Sequence, residues 1–394
     1  IANVNYIIDA EPEMAGTEAD VAYVAGQAYA IRALCYLNLA TWFSRAPYNS
    51  LTGASRWNEP CVPVYTTGTS IDTGGQPRES LRTVYGRIDQ DIDRAIELLE
   101  KARETTLAEN NKSHINLYVA LGIKSRACLA EGDWDGAFKA AKRVIDEGGY
   151  AVGTKSDLTG GMNSLDKQNV MWGAGIQVAD QAGGYAGFFT HMDNKEGAYA
   201  KSAPKLISKQ LYNRISATDI RRDWWDPSDK ESPYVSKKFS FANVASFLGD
   251  YIYMRVEEMY FTAAEAALRL DDLKSARELM NTVMAERDPG YSANNRSGTL
   301  LGATTTTWTG SFLENILTHR RIELWGEYGR LFDVRRLGQG IDRRTDDGFS
   351  EECISMMNRR NVNITKADTY DWVLTIPKAE LDANPNINEE DQNP

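Results

Sequence analysis

The 394-residue chain has few of the residues that usually carry catalysis or bind metals. Its three histidines, His114, His191 and His319, lie far apart, and its four cysteines show no C-x-x-C spacing. Without an H-E-x-x-H pair or a Cys/His set, the sequence predicts no zinc site. The spacings of a nucleophile elbow, a phosphate-binding loop and a dinucleotide-binding turn are missing as well. Nothing in these patterns calls for an enzyme.

Long apolar runs and an excess of positive charge are also missing. No stretch of about eighteen apolar residues is found, so no transmembrane helix is predicted. The first residues show neither the basic start nor the apolar core of an export signal. Lys and Arg number 44 against 55 Asp and Glu, a net charge of −11. This charge argues against nucleic acid or an anionic membrane surface as a partner and favours a neutral ligand.

The four cysteines fall into two groups that differ in their surroundings. Cys35 and Cys128 fall within apolar helical patterns and are predicted to be buried free thiols. Cys61 and Cys353 lie in or near loops, where they could form a disulfide in an oxidising compartment.

One acidic loop offers carboxylates that could ligate calcium, although such clusters are usually solvated. No cofactor is predicted, and calcium stays open at this loop. The acidic residues are Asp223, Asp226, Asp229 and Glu231.

Apolar residues recur at helical spacing in much of the chain, which predicts a mostly α-helical fold. The segment A-C-L-A-E-G-D-W-D-G-A-F has the small-residue spacing of a tetratricopeptide-type helical hairpin. The predicted helices cover residues 19–43, 81–99, 114–130, 134–145, 255–270 and 273–287.

Irregular segments interrupt these helices and are where recognition usually occurs. Residues 50–78 and 289–310 are predicted to be long loops. Residues 150–250 are rich in glycine and aromatics, with short strands in NVMWGAGI and VSKKFSF and one helix over 204–215.

The segment 320–340, R-R-I-E-L-W-G-E-Y-G-R-L-F-D-V-R-R-L-G-Q-G, is predicted to be one half-buried helix. Its acids and bases lie about one turn apart, which predicts the local pairs Arg320 with Glu323, Glu327 with Arg330, and Arg330 with Asp333. Neighbouring cations keep a carboxyl group charged, so these acids are expected to stabilise the fold rather than act in catalysis.

The same segment resembles the C-terminal signature of the SusD/RagB family, matching at Arg321, Glu323, Glu327, Arg330 and Asp333. Four further blocks are similar to the family in order along the chain. These are the first helix with F-S-R-A-P-Y, the tetratricopeptide-like repeat, T-D-I-R-R with the hairpin R-V-E-E-M-Y-F-T-A-A-E-A, and the tail, which the family forms with a strand followed by I-P-K-A-E, N-P and Q-N-P.

This resemblance implies one SusD-like domain over residues 1–394. Helical hairpins at 19–147 and 255–340 would form a right-handed, tetratricopeptide-like scaffold. Residues 150–250 would form a ligand-facing insertion, and 341–394 a C-terminal extension.

The resemblance also implies a function without catalysis. The chain would be a lipoprotein on the surface of the outer membrane that captures oligosaccharide for a TonB-dependent, SusC-like transporter. Its N-terminal lipid anchor would lie outside the sequence given. Three alternatives stay open: a peptide-capturing RagB-type subunit, a helical-repeat adaptor that binds proteins, and a helix-rich glycosidase with paired carboxylates.

A glycan site needs exposed aromatic planes with amide or charged groups beside them. Three irregular stretches supply this mixture, and Trp57 is predicted to be the main platform. Trp224 and Trp225 are predicted to pack in the core instead. The predicted ligand-binding residues are Trp57, Asn58 and Tyr65; Tyr185, Phe188, Phe189, His191 and Asn194; and Tyr291, Asn294 and Trp308.

Overall fold

A computed structural model describes residues 1–105, 107, 111–177, 186–349, 351–359, 364 and 369–394. The longer helices are α1 (Ala2–Asp9), α2 (Glu18–Phe43), α3 (Leu81–Lys101), α4 (Leu117–Glu131), α5 (Trp134–Glu147), α10 (Val256–Arg269), α11 (Leu273–Ala285), α12 (Phe312–Glu323), α13 (Arg330–Leu337) and α14 (Glu351–Arg359). The short ones are α6 (Lys155–Thr159), α7 (Phe188–Met192), α8 (Ala198–Ser202), α9 (Lys209–Tyr212) and α15 (Lys378–Ala383). The strands are β1 (Val170–Ala174), β2 (Trp225–Asp226), β3 (Val235–Ser236) and β4 (Tyr251–Arg255).

The long helices begin at side chains that cap them. Thr17 and Asp20 form a capping box at the start of α2, and Asn116 accepts hydrogen bonds from two backbone N–H groups of α4. Between α4 and α5, Gly132 takes the left-handed conformation and Asp133 caps the next helix. These local signals explain why the helix positions could be predicted well.

Consecutive helices pack as hairpins, which confirms the mostly α-helical, tetratricopeptide-like fold. Helix α2 packs on α3, and α4 packs on both α3 and α5. Helix α10 then packs on α5, α11 and α12, so that it joins the two halves of the scaffold.

The buried face of α2 differs from the one that its large apolar residues suggest. Val24 and Ile31 are 39% and 36% exposed. The buried side combines many small residues with Tyr23, Arg32, Tyr36 and Leu37. The small residues let α3 approach closely: a Cβ at Gly26 would lie 2.9 Å from Leu99. Small residues thus set the spacing of this hairpin.

Within residues 150–250, here called the insertion, a second, smaller core forms; it includes Trp224 and Trp225 together with Ile322 of α12. Both tryptophans are buried, as predicted. The insertion therefore rests on α12 through a tryptophan-rich contact.

Two predicted elements of the irregular segments are wrong. The helix over 204–215 is reduced to Lys209–Tyr212, because Leu206 pairs instead with Val235 in an isolated antiparallel bridge. A strand expected in the tail is not formed: residues 374–377 belong to no helix or strand, the Leu374 N–H donates to the carbonyl of Trp42, and α15 follows.

The single helix predicted over 320–340 is also wrong. Helix α12 ends at Glu323, and α13 starts only at Arg330. Gly326 and Gly329, at φ +75° and +112°, lie in the left-handed region that glycine tolerates best. The intervening residues 324–329 form a loop, here called the glycine loop.

Cys61 is a buried free thiol rather than half of a disulfide. Its burial raises the pKa of the thiol to about 11. Cys128 is buried and free, as predicted, whereas Cys35 is free but only half-buried. The side chain of Cys353 lies outside the described part of the chain.

Candidate functional site

A cleft of about 480 Å³ opens between α2, the β1–β4 ribbon, the insertion and the glycine loop. We call it the aromatic cleft. It is lined by Leu34, Asn38, Arg126, Met162, Trp172, Phe188, Phe239, Tyr251, Ile252, Tyr253, Gly326, Glu327 and Tyr328.

The β1–β4 ribbon supplies one wall of the cleft. Trp172 and Tyr253 pack edge to face with ring centres 5.0 Å apart, and Tyr253 is 41% exposed. Tyr251 lies two residues earlier on the same face of β4, where Phe188 packs against it. The ribbon therefore holds several aromatic rings at the rim and wall of one cavity.

The glycine loop supplies the opposite ring, Tyr328. Its hydroxyl donates to Asn38 Oδ1 at 3.2 Å, and the Arg126 guanidinium lies 3.9 Å from the ring centre. Burial raises the pKa of Tyr328, which keeps the phenol protonated. The ring is thus fixed between α2 and α4.

Two polar groups on the cleft keep hydrogen-bonding capacity. Arg126 donates through Nε and Nη2 to Glu258 and through Nη2 to the Tyr253 carbonyl. Among the described residues nothing accepts from its Nη1, and Asn38 uses only its oxygen. Both nitrogens remain for a ligand.

A buried charge network lies beneath the cleft. Glu323 accepts from Arg221 at 3.1 Å, from Arg255 at 3.0 Å and from Arg287 at 2.9 Å. Burial alone would raise the pKa of Glu323, but the three arginines hold it well below its usual range. The carboxylate is therefore ionised and structural, in keeping with the sequence prediction.

The same network fastens the glycine loop. Lys238 donates to the carbonyls of Glu323 and Trp325 and to the Glu327 carboxylate, and Arg255 also donates to Glu327. The cations number four and so do the anions, which leaves the cluster neutral. Its members are Arg221, Lys238, Arg255 and Arg287 with Asp219, Glu257, Glu323 and Glu327.

The predicted local ion pairs are wrong because these side chains pair with other parts of the chain instead. Arg320 pairs with Asp333 and Glu258, and Glu327 pairs with residues of the insertion and β4. Arg330 makes no ion pair with any residue that the structure describes. Most ion-pair partners of Arg320, Glu323 and Glu327 come from distant parts of the chain.

Of the residues predicted in the insertion, Phe188 lines the aromatic cleft. Phe189 is 1% exposed and belongs to the core. The Asn194 amide bonds to backbone groups of Ser236 and Lys205, and His191 stacks on Tyr199 with ring centres 4.5 Å apart. Tyr185 lies outside the described residues.

The loop after α2 lies away from the cleft. Trp57 packs edge-on against Tyr85 at 5.7 Å, and the Arg82 guanidinium covers its ring. Asn58 is exposed. Tyr65 lines a second, mainly aliphatic cavity of about 510 Å³ between α1 and the C-terminal segment.

The third predicted stretch packs against its neighbours. Tyr291 donates to Asn315 at 2.8 Å, and burial raises its pKa to about 12. Asn294 accepts from Asn281, and Arg214 lies 4.4 Å from the centre of the Trp308 ring. None of these side chains lines the aromatic cleft.

The sequence prediction missed Trp172, Tyr251, Tyr253 and Tyr328. A signal was present, since Y-I-Y-M-R alternates aromatic and other residues as a strand with one exposed face does.

The acidic loop uses its carboxylates locally. Asp226 accepts from Ser228, and Asp229 accepts from the backbone N–H groups of Glu231 and Ser232. In the part of the chain that is described, no group of three or more His, Cys, Asp or Glu side chains is arranged to hold a metal.

None of the described helices combines the length and the apolar character needed to cross a bilayer.

The fold and the site define a tetratricopeptide-like scaffold protein with a surface cleft. Its helical hairpins carry an irregular, aromatic insertion over a buried arginine–carboxylate network. The chain belongs to the SusD family, whose family model matches residues 193–394.

Solved structures support this assignment. A SusD-like carbohydrate-binding protein from Bacteroides vulgatus is 26% identical, with a TM-score of 0.76 over 99% of this chain and 82% of that one. A SusD superfamily protein from Bacteroides thetaiotaomicron is 23% identical, with a TM-score of 0.77 over 100% and 83%. Surface glycan-binding protein A from Bacteroides uniformis shares the fold at 17% identity, with a TM-score of 0.67 over 99% and 83%. A search of curated proteins found no match.

Proposed function

We propose that this chain is a non-catalytic binding protein that captures a neutral oligosaccharide in the aromatic cleft. The observation that carries the proposal is the grouping of Trp172, Tyr253 and Tyr328 beside the free nitrogens of Asn38 and Arg126. Aromatic planes suit the C–H faces of sugar rings, and amide or guanidinium donors suit their hydroxyl edges.

The charge on the cleft supports a neutral ligand. Arg126 is already paired with Glu258, and Glu327 is paired with Arg255 and Lys238. A ligand carboxylate would meet a guanidinium whose charge Glu258 offsets, so little net attraction remains. The net charge of the whole chain, −11, also disfavours anions.

Family membership supports the cellular role. We propose that the protein acts at the surface of the outer membrane and delivers its ligand to a TonB-dependent, SusC-like transporter. Purification of the protein from native membranes, followed by identification of the transporters that accompany it, tests this role separately from ligand binding.

An oligosaccharide array followed by calorimetry on the best ligand tests the capture step. Tyr253→Ala should weaken binding by about tenfold, since it removes one stacking plane. Tyr199→Ala is the matched control, because Tyr199 is 38% exposed but lies outside the cleft. Chromatography of the incubated ligand should show no cleavage products.

Two results would contradict the proposal. Unchanged glycan affinity in both Tyr253→Ala and Trp172→Ala would place the site elsewhere. Binding to peptides and to none of the glycans would favour the peptide-capturing branch of the family.

A further inference from the structure

A third, much smaller cavity lies between α12, α13 and the loop before α12. Its volume is about 30 Å³. The polar side chains around it include Arg321 of α12, Arg330 at the first position of α13, and the hydroxyl groups of Thr305 and Thr318. The cavity therefore brings two cations and two hydroxyl groups together.

Neither arginine has a carboxylate partner in the described part of the chain. Arg321 makes one hydrogen bond, to the carbonyl of Thr305 at 3.1 Å. Arg330 makes neither a hydrogen bond nor an ion pair with a described residue. Many buried arginines of this scaffold, among them Arg221, Arg287 and Arg336, form several ion pairs each, whereas Arg321 and Arg330 form none with a described residue.

Two carboxylates also line the cavity, but both are engaged elsewhere. Glu314 accepts from Arg214 and from the backbone of Thr309 and Gly310. Asp333 accepts from Arg320 and Arg336 at 2.9 Å each. No carboxylate of the described residues therefore forms an ion pair with either cavity arginine; Asp347 acts on the charge of Arg321, and Asp333 on that of Arg330, only at longer range.

The ionisation of the two arginines agrees with this charge count. Burial, followed by the neighbouring charges of Arg330 and Arg343, holds the pKa of Arg321 well below its usual range. Burial also lowers the pKa of Arg330, to about 10, although Asp333 opposes this shift. Both shifts are those that desolvation and neighbouring like charges produce in a cation.

We propose that one small inorganic anion, chloride under physiological conditions, binds in this cavity between Arg321 and Arg330. The cavity is small, which favours a monatomic anion over a larger oxyanion. The anion would supply the missing negative charge, with the Thr305 and Thr318 hydroxyls as further donors. It would fasten the start of α13 to α12 next to the glycine loop.

Bromide replaces chloride and scatters X-rays anomalously, which makes it the direct probe. Crystals of the full chain soaked in sodium bromide should show one anomalous peak in the cavity. In solution, sodium chloride should raise the Tm by about 1–3 °C over sodium gluconate at equal ionic strength.

Arg330→Met should remove both the peak and the chloride effect on Tm, and Arg359→Met, at an exposed arginine of α14, should remove neither. If Arg330→Met does not fold, Thr318→Val offers a milder change that should weaken the chloride effect. A cavity that holds only water in bromide-soaked crystals would overturn the proposal, as would a chloride effect that is the same in wild type and Arg330→Met.

Discussion

Tyr328 donates a 3.2 Å hydrogen bond to Asn38, which lies 290 positions earlier in the chain. This bond closes the aromatic cleft by tying the glycine loop to α2. The rest of Asn38, its amide N–H₂ group, is left at the cleft surface. One residue therefore orients the ring and offers donors to a ligand.

Asn38→Ala should weaken glycan binding by about tenfold, because it removes the ligand donor and releases Tyr328. Tyr328→Phe keeps the ring and should weaken binding by less than about threefold. Calorimetry on both variants checks this order. Wild-type affinity in Asn38→Ala would show that Asn38 does not contact the ligand.

Glu323→Ala should destabilise the fold strongly. It leaves Arg221, Arg255 and Arg287 without their shared partner, and breaking one side of a buried ion pair costs about 3–5 kcal/mol. Thermal unfolding should show a large fall in Tm or no folded protein, whereas Glu278→Ala, at an exposed ion pair of α11, should be nearly neutral. A normally stable Glu323→Ala that has lost only its glycan affinity would assign Glu323 to ligand binding.

The stability of the protein should also depend on Glu131 at the end of α4. Burial, followed by the charges of Asp89 and Asp133, raises the pKa of Glu131 from 4.5 to about 8. A carboxyl group with a higher pKa in the folded state stabilises the fold when protonated. Its contribution is full below pH 4.5 and is lost as the pH rises through about 8.

Glu131→Gln keeps the neutral form at every pH, so its Tm relative to wild type should rise between about pH 5 and pH 9. Glu278→Gln is the control and should show no such trend. A Tm difference that stays constant over this range would mean that Glu131 titrates normally.

Substitutions at Trp57 and Tyr253 should have different effects, one on stability and the other on glycan binding. Trp57 packs on Tyr85 outside the cleft, so Trp57→Ala should lower the Tm and leave glycan affinity within a factor of about two. Tyr253→Ala should leave the Tm nearly unchanged and weaken glycan binding. A folded Trp57→Ala with much weaker binding would instead support the loop after α2 as the glycan platform.

The structural elements that depend on local signals could be predicted from the sequence. The hairpin α4–α5 could be located within a few residues because its turn, Gly132 and Asp133, carries its own signals. The break between α12 and α13 was missed, although Gly326 and Gly329 were visible, since glycine is also compatible with close helix packing.

The cleft and its charges were harder to predict because they combine distant segments. Glu327 meets Arg255 and Lys238, more than 70 positions away, so spacing along one helix could not identify its partners. Trp172 and Tyr253 become neighbours only through the pairing of β1 with β4. Such contacts follow from tertiary structure rather than from periodicity.

Lys238 belongs to the insertion, yet all three of its acceptors lie in residues 323–327 at the junction of α12 and the glycine loop. The insertion and the scaffold therefore are not interchangeable modules. A chimera that received a relative's insertion without a lysine at this position would lose the donor for two carbonyls and one carboxylate at once. Engineering new ligand specificity into this chain should keep Lys238 and vary only the rim, at Trp172 and Tyr253.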